Sequence, residues 1–148
     1  IKKSGCLYII IRTAWLYSGY GHNFVKTISR LASERDELNV VSDQGGTPTY
    51  AGDLAEAIIS IMERDDLPEL EGVYHFTNEG ACTWYDFAKE IVAITGANCK
   101  VNPVTTEEYP SKVKRPAYSI LDKTKIKETF NLEIRDWREA LKSCMATF

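Results

Sequence analysis

What this 148-residue chain does without narrows its function before any motif is read. No apolar run approaches the ~18 residues of a membrane-crossing helix, and the opening residues lack a signal-peptide pattern, so no membrane partner is expected. Strong charge of either sign is missing too. Eighteen Lys and Arg against 21 Asp and Glu leave a net charge of −3, which makes no electrostatic case for nucleic acid. The one basic cluster, Lys112 to Arg115, is short and follows acidic residues. Cys6, Cys82, Cys99 and Cys144 are far apart and form no Cys-x-x-Cys, which points to reduced thiols in a cytoplasmic protein rather than to disulfides or zinc. A complete glycine-rich phosphate turn is absent as well. Gly19-x-Gly21 sits between a strand-like run and a helical pattern, but Phe24 stands where a third glycine would permit close helix–strand packing.

What is present is the composition of one globular domain with a core, 44% hydrophobic and 26% charged. Leu7 to Ile11 is apolar without alternation and carries three β-branched residues, Ile9, Ile10 and Ile11. That pattern predicts a strand buried on both faces of a parallel sheet. Parallel neighbours arrive through crossover helices, and residues 1–6 are too few to supply one, so the chain is expected to be the back half of a larger unit. Thr13 to Tyr17 then falls at the carboxyl edge of the sheet, where open α/β sheets bind ligands. Trp15 and Tyr17 there either offer stacking surfaces or fill core.

Apolar residues at Phe24, Ile28 and Leu31 predict an amphipathic helix over 23–35 with Asn23 near its start. Asn23 either contacts an anion such as a diphosphate at that helix start or merely caps the helix. Leu38 to Val41 reads as a strand and Asp43 to Thr49 as a turn-rich loop. Thr49 is expected to cap a second helix, with Leu54, Ile58, Ile61 and Met62 on one face, ending before Pro68. Gly72 to Phe76 is the next strand; its His75, with no second ligand in register, reads as structural. Thr83-x-x-Asp86 is a capping box for a helix closing at Gly96. Tyr85-x-x-x-Lys89 within it has the spacing of a catalytic Tyr/Lys pair, a spacing that ordinary helices also produce. Val101 to Val104 is an edge strand broken by Pro103. Thr105 to Pro116 is a polar loop with Lys112, Lys114 and Arg115, where Arg115 either binds a phosphate or carboxylate in bidentate fashion or stays solvated. Helices around Ile126–Phe130 and after Asp136 finish the chain.

Taken together, Ile10-Ile11-Arg12-Thr13-Ala14-Trp15-Leu16-Tyr17, Gly21-His22-Asn23-Phe24-Val25-Lys26, Asp43-Gln44-x-Gly46-x-Pro48-Thr49, Thr83-Trp84-Tyr85-Asp86-Phe87-Ala88 and Arg115-Pro116-x-x-Ser119-x-Leu121 closely resemble the dTDP-4-dehydrorhamnose reductase family. The resemblance covers nearly the whole chain. It implies an α/β fold, the C-terminal part of an NAD(P)-binding Rossmann-like extended short-chain dehydrogenase. Residues 1–148 would be its substrate-binding portion, a mixed α/β lobe, with strands near 7–13 and 72–77 belonging to the Rossmann sheet.

In that family the glycine-rich cofactor turn, a catalytic Thr and the Tyr-x-x-x-Lys pair precede the Arg-Thr-x-Trp strand. The resemblance therefore implies no catalytic residue in this chain, inactivity of the chain alone, and an N-terminal Rossmann half as partner. Tyr85 and Lys89 are not the catalytic pair. The complete enzyme would reduce the C4 ketone of a dTDP-linked 6-deoxy-4-keto-L-sugar with NADPH or NADH, for surface polysaccharide. Trp15 matches the family's sugar-contacting Trp. Thr13 and Ala14 should pass near the nicotinamide, and Asn23, Gln44 and Arg115 are candidates for nucleotide and diphosphate contacts. Some members bind Mg²⁺ between subunits through glutamates, but the corresponding place in the loop after Thr49 holds Gly52, so no metal is expected; a homodimer is left open. Rival readings are a nucleotide-sugar epimerase or dehydratase of the same superfamily, and a non-catalytic relative similar to the regulatory subunit of methionine adenosyltransferase.

Overall fold

A computed structural model describes residues 1–109 and 115–147. Lys112 and Lys114 of the expected basic cluster lie outside the described residues. Along the chain run β1 (Ile9–Arg12), β2 (Leu16–Tyr17), α1 (Phe24–Glu34), β3 (Glu37–Val41), β4 (Gly45–Gly46), β5 (Thr49–Tyr50), α2 (Ala51–Met62), β6 (Gly72–His75), β7 (Cys82–Thr83), α3 (Trp84–Thr95), β8 (Lys100–Val104), α4 (Thr124–Phe130) and α5 (Trp137–Met145). The strands pair two by two. β1 runs parallel to β6, β2 to β5 and β3 to β8, while β4 and β7 are antiparallel.

Three helices are bounded by side-chain or glycine caps that their sequence provides. Asn23 accepts from the Lys26 N–H to open α1, and Asp136 accepts from the Arg138 N–H to open α5. At α3 the capping box is complete: the Thr83 hydroxyl accepts from the Asp86 N–H, and the Asp86 carboxylate accepts from the Thr83 N–H. Gly96 closes that helix at φ 67°, a left-handed cap that a side chain would strain.

Two apolar cores result. One gathers Val25 and Ile28 of α1, Phe87 and Ile91 of α3, and Trp137 and Leu141 of α5. The other packs Ala57 and Ile61 of α2 and Ile126 and Phe130 of α4 against Tyr74 and Phe76.

Five sequence expectations need correction. Pro103 does not break its strand: β8 runs unbroken from Lys100 to Val104, with Pro103 opposite Val40. Leu7 to Ile11 is not buried on both faces: Leu7 is 63% exposed and precedes β1, while Ile9, Ile10 and Ile11 are half-buried. Ile9 and Ile11 share a face with Tyr74 and join the second core, whereas Ile10 and Val73 belong to neither core. On α2 the inward stripe is Leu54, Ala57 and Ile61; Ile58 and Met62 point outward, the latter 69% exposed. Thr49 does not cap α2, whose N-cap is Tyr50 without a side-chain bond, because the Thr49 hydroxyl donates to the Ala14 carbonyl instead. The 43–49 loop contains the short strands β4 and the start of β5.

Fully buried Asn78 joins the two cores. Its amide oxygen accepts from the Tyr50 N–H at 2.8 Å, its amide nitrogen donates to Asp53, and its carbonyl accepts from Lys123 at 3.1 Å. Asp53, on the first turn of α2, also takes a two-pronged bond from the Arg135 guanidinium before α5. Each buried polar group stranded by a deletion costs about 1–3 kcal/mol. Asn78→Ala is therefore expected to lower unfolding free energy by roughly 2–4 kcal/mol. Denaturant midpoints at unchanged m-value measure the loss, and a shift near zero would show that the amide is not the joint.

Candidate functional site

An open cavity lies along strand β3. Asp36 C=O accepts from the Lys100 N–H and Ser42 N–H donates to the Val104 carbonyl, so the even-numbered main-chain groups of this strand face β8. By the two-residue period of a strand, those of Glu37, Asn39 and Val41 face the opposite edge. No strand covers that edge among the described residues. It forms the floor of a cavity of about 550 Å³, walled by Thr27 and Leu31 of α1, by Trp84, and by Gln44 and Arg115.

Local bonding explains how each wall is held. Gln44 is 6% exposed and donates through its side-chain nitrogen to the Thr106 hydroxyl at 3.0 Å, which in turn donates to Asp43 at 2.7 Å. That hydroxyl and the Thr106 N–H hold the Asp43 carboxyl below its ordinary range. Arg115 is brought over the cavity because the segment after it pairs with β4: the Gly45 N–H donates to the Ala117 carbonyl at 2.8 Å and the Ser119 N–H to the Gly45 carbonyl at 2.9 Å. Arg115 is exposed, which leaves its fork open to an anionic ligand.

Behind the Trp84 wall lies the corner between β1 and β2. The Thr13 hydroxyl donates to the Thr49 hydroxyl at 3.1 Å, and the Thr49 N–H donates to the Trp15 carbonyl at 3.1 Å. Trp15 adopts φ 49°, a left-handed conformation that is an outlier for a bulky residue and costs on the order of 1–3 kcal/mol. Its ring stacks on Trp84 with centroids 3.6 Å apart and planes 14° from parallel. Gly46 backs it so closely that an added Cβ would lie 2.5 Å from the indole carbons.

The structure thus brings Gln44 and Arg115 into one cavity. Trp15 stands one ring behind that cavity, and Thr13 and Ala14 lie just past the carboxyl end of β1. It does not bring Asn23 there: its side chain is occupied by Lys26 N–H and by the Ser18 and Tyr20 carbonyls. Tyr17 is core, 2% exposed, and burial raises its phenol far above the ordinary value. Lys89 lies 5.3 Å from the Tyr85 ring centre on α3, away from the cavity lining. Burial pushes the Cys82 thiol up to about 12 and the Cys144 thiol up to about 11, so neither is a ready nucleophile. Gly52 lies in the first turn of α2 rather than in a loop, and no group of three or more His, Cys, Asp or Glu able to hold a metal occurs among the described residues.

Two features escaped the sequence reading. The first is Trp84, readable there only as an aromatic inside a capping box. The second is the free edge of β3, which depends on a pairing with residues about sixty positions away.

Residues 1–148 match the RmlD substrate binding domain family. The chain is similar to dTDP-4-dehydrorhamnose reductase of Aggregatibacter actinomycetemcomitans, 47% identical over an alignment of 146 positions that covers 93% of this chain and 50% of that protein. It is similar to the spore coat polysaccharide biosynthesis protein SpsK of Bacillus subtilis (strain 168), 47% identical over 133 residues, 90% of this chain and 45% of that protein. Among solved structures, dTDP-4-dehydrorhamnose reductase from Bacillus anthracis str. Ames in complex with NADP superimposes with a TM-score of 0.92 at 39% identity, covering 99% of this chain and 51% of the other. The chain spans about half the length of the curated relatives it matches. Its fold is that of the C-terminal part of a Rossmann-like extended short-chain dehydrogenase.

The Trp84 wall depends on the Asp86 cap, which yields a pH prediction. Burial raises the Asp86 carboxyl, but bonds from the Thr83 hydroxyl and N–H, with Lys89 and Arg138 nearby, more than offset this and hold it below its ordinary range. A carboxyl held down by folding stabilises above its unfolded value, about 4, and loses that contribution as pH falls below it. Asp86→Asn should therefore flatten the loss of unfolding free energy between about pH 5 and pH 2. Denaturant unfolding across that range would show parallel profiles if the cap were not linked to ionisation.

Proposed function

Because the chain belongs to the RmlD substrate binding domain family, we propose that it is the substrate-binding portion of a reductase that converts dTDP-4-dehydro-L-rhamnose to dTDP-L-rhamnose with NADPH, in the cytoplasm. Residues 1–148 form the C-terminal portion of that enzyme, with β1 and β6 extending the sheet of the cofactor-binding half. The observation that carries the reading is the β3 cavity, which sets an unpaired strand edge, an indole and a guanidinium around one space. The main-chain groups of Asn39 and Val41 suit the hydrogen-bonding edge of a pyrimidine. Arg115, carried on the 117–119 segment, suits the diphosphate, with Gln44 beside it.

Trp15 is the sugar contact in this reading. Thr13 and Ala14, tied to Thr49 just past the carboxyl end of a parallel strand, suit the place of a nicotinamide: a fixed hydroxyl and a methyl form a flat, ordered wall. The nicotinamide, when bound, supplies a hydride; the residues here orient the keto-sugar and exclude water from it. Mg²⁺ has no place in the proposal, since Gly52 offers no donor and Asp53 is committed to Arg135 and Asn78.

Calorimetry with dTDP tests the reading. The protein should bind dTDP, and Arg115→Ala should weaken binding about 10- to 100-fold, or ~1.4–3 kcal/mol. Equal affinity in the variant would remove Arg115 from the site. The chain alone should bind the nucleotide yet leave NADPH unoxidised when the keto-sugar is added; turnover by the chain would overturn the division between a binding and a catalytic half.

A further inference from the structure

Two unfavourable features meet at Trp15. Its backbone is left-handed at φ 49°, and its indole lies almost face to face with that of Trp84, at 3.6 Å and 14°. Aromatic pairs left to themselves prefer offset or edge-to-face contact at larger separation. Such a conformer persists only where neighbours over-determine it. The neighbours are identifiable: Thr49 holds the Trp15 and Ala14 carbonyls, Gly46 leaves room for the ring and nothing more, and Trp84 covers it. Trp84 is itself fixed, as the first residue of the capped helix α3 and by Phe24, 4.6 Å away at a tilt of 53°. It also lines the β3 cavity, together with Phe24 and Tyr109.

We propose that Trp84 is a positioning residue that couples the β3 cavity to the Trp15 corner: a nucleotide diphosphate entering the cavity meets Trp84, and Trp84 sets the Trp15 indole against the sugar beyond it. The inference rests on the nucleotide reading of that cavity. Gly46 is the second half of the device, since any side chain there displaces the Trp15 ring while leaving Trp84 in the wall. The φ of Gly46 is not left-handed, so alanine is tolerated by the backbone and its effect falls on Trp15 and the Ser119 hydroxyl.

Two stacked indoles give a bisignate exciton couplet in far-ultraviolet circular dichroism, a signature that burial alone does not produce. The wild-type protein should show it, Trp15→Phe and Trp84→Phe should each abolish it, and Gly46→Ala should abolish it with both indoles still present. Titration with dTDP should change the couplet in step with the calorimetric isotherm. Trp84→Leu, which removes the flat ring from the cavity wall, should bind dTDP about tenfold more weakly. Gly46→Ala should bind dTDP within about threefold but dTDP-L-rhamnose about tenfold more weakly. A couplet that survives Gly46→Ala, or that stays constant at dTDP saturation, overturns the coupling and leaves the nucleotide reading intact. A wild-type protein that shows the couplet but binds no dTDP overturns the nucleotide reading and the ligand coupling with it, while the stack is established independently.

Discussion

The side-chain amide of Asn78 sits without solvent exposure between elements that belong to different cores. Both ends of the amide are used, one by the Tyr50 N–H and the other by Asp53. Asp53 then grips Arg135, 10% exposed on the carboxylate side and 38% on the guanidinium side. Two helices from separate cores, α2 and α5, thereby start from one shared set of bonds. Apolar packing fixes each core internally but has little directional preference between them. The polar joint supplies the direction, and with it the relation between the β1–β6 pair and the lobe that carries the cavity. A second set reinforces it: Lys123 and Lys127 both reach Glu79, at 3.2 and 2.8 Å. The Glu79 carboxyl stays below its ordinary range because those lysines outweigh the cost of partial burial.

That joint explains why the cavity wall can carry strain. β1 belongs to one strand pair and β2 to another, β1 with β6 and β2 with β5. The chain between them must change ladders within Thr13, Ala14 and Trp15. A left-handed residue makes that corner in one step, and glycine would make it without steric cost. With Trp there instead, the ring is aimed at the wall of the cavity rather than left free. The corner is stabilised by Thr49, the first residue of β5, whose neighbour Tyr50 is held by Asn78, so that it inherits the rigidity of the joint.

Much of the fold was legible because it is written locally. Periodicity located α1 and α3, the Thr83/Asp86 pair located a complete capping box, and Gly96 marked the end of its helix. The resemblance, carried by blocks in fixed order, gave the family. What the sequence could not show depends on distant pairing. Thr49 looked like a helix cap because threonine before an apolar helix usually is one; only the fold puts the Ala14 carbonyl within reach of its hydroxyl. Ile58 and Met62 looked inward because both lie within reach of an apolar stripe, yet the stripe that meets β6 is centred on Ala57 and Ile61. Five apolar residues from Leu7 to Ile11 read as a doubly buried strand, but only Ile9 to Ile11 enter β1, and only the face of Ile9 and Ile11 finds α2 and α4.

The site follows the same division. Gln44 and Arg115 were readable as polar residues in turn-rich segments, and their meeting in one cavity comes from the pairing of Gly45 with the 117–119 segment. The β3 edge was not readable at all, since it consists of main-chain groups whose exposure depends on which side β8 takes. A binding surface made of backbone carries no residue signature: Glu37, Asn39 and Val41 share no chemistry that a motif would capture. What the sequence must preserve there is the strand itself, through Leu38 and Val40 in the core beneath it. The residues that build this floor are therefore the buried ones, and the groups that would read a ligand are common to every amino acid.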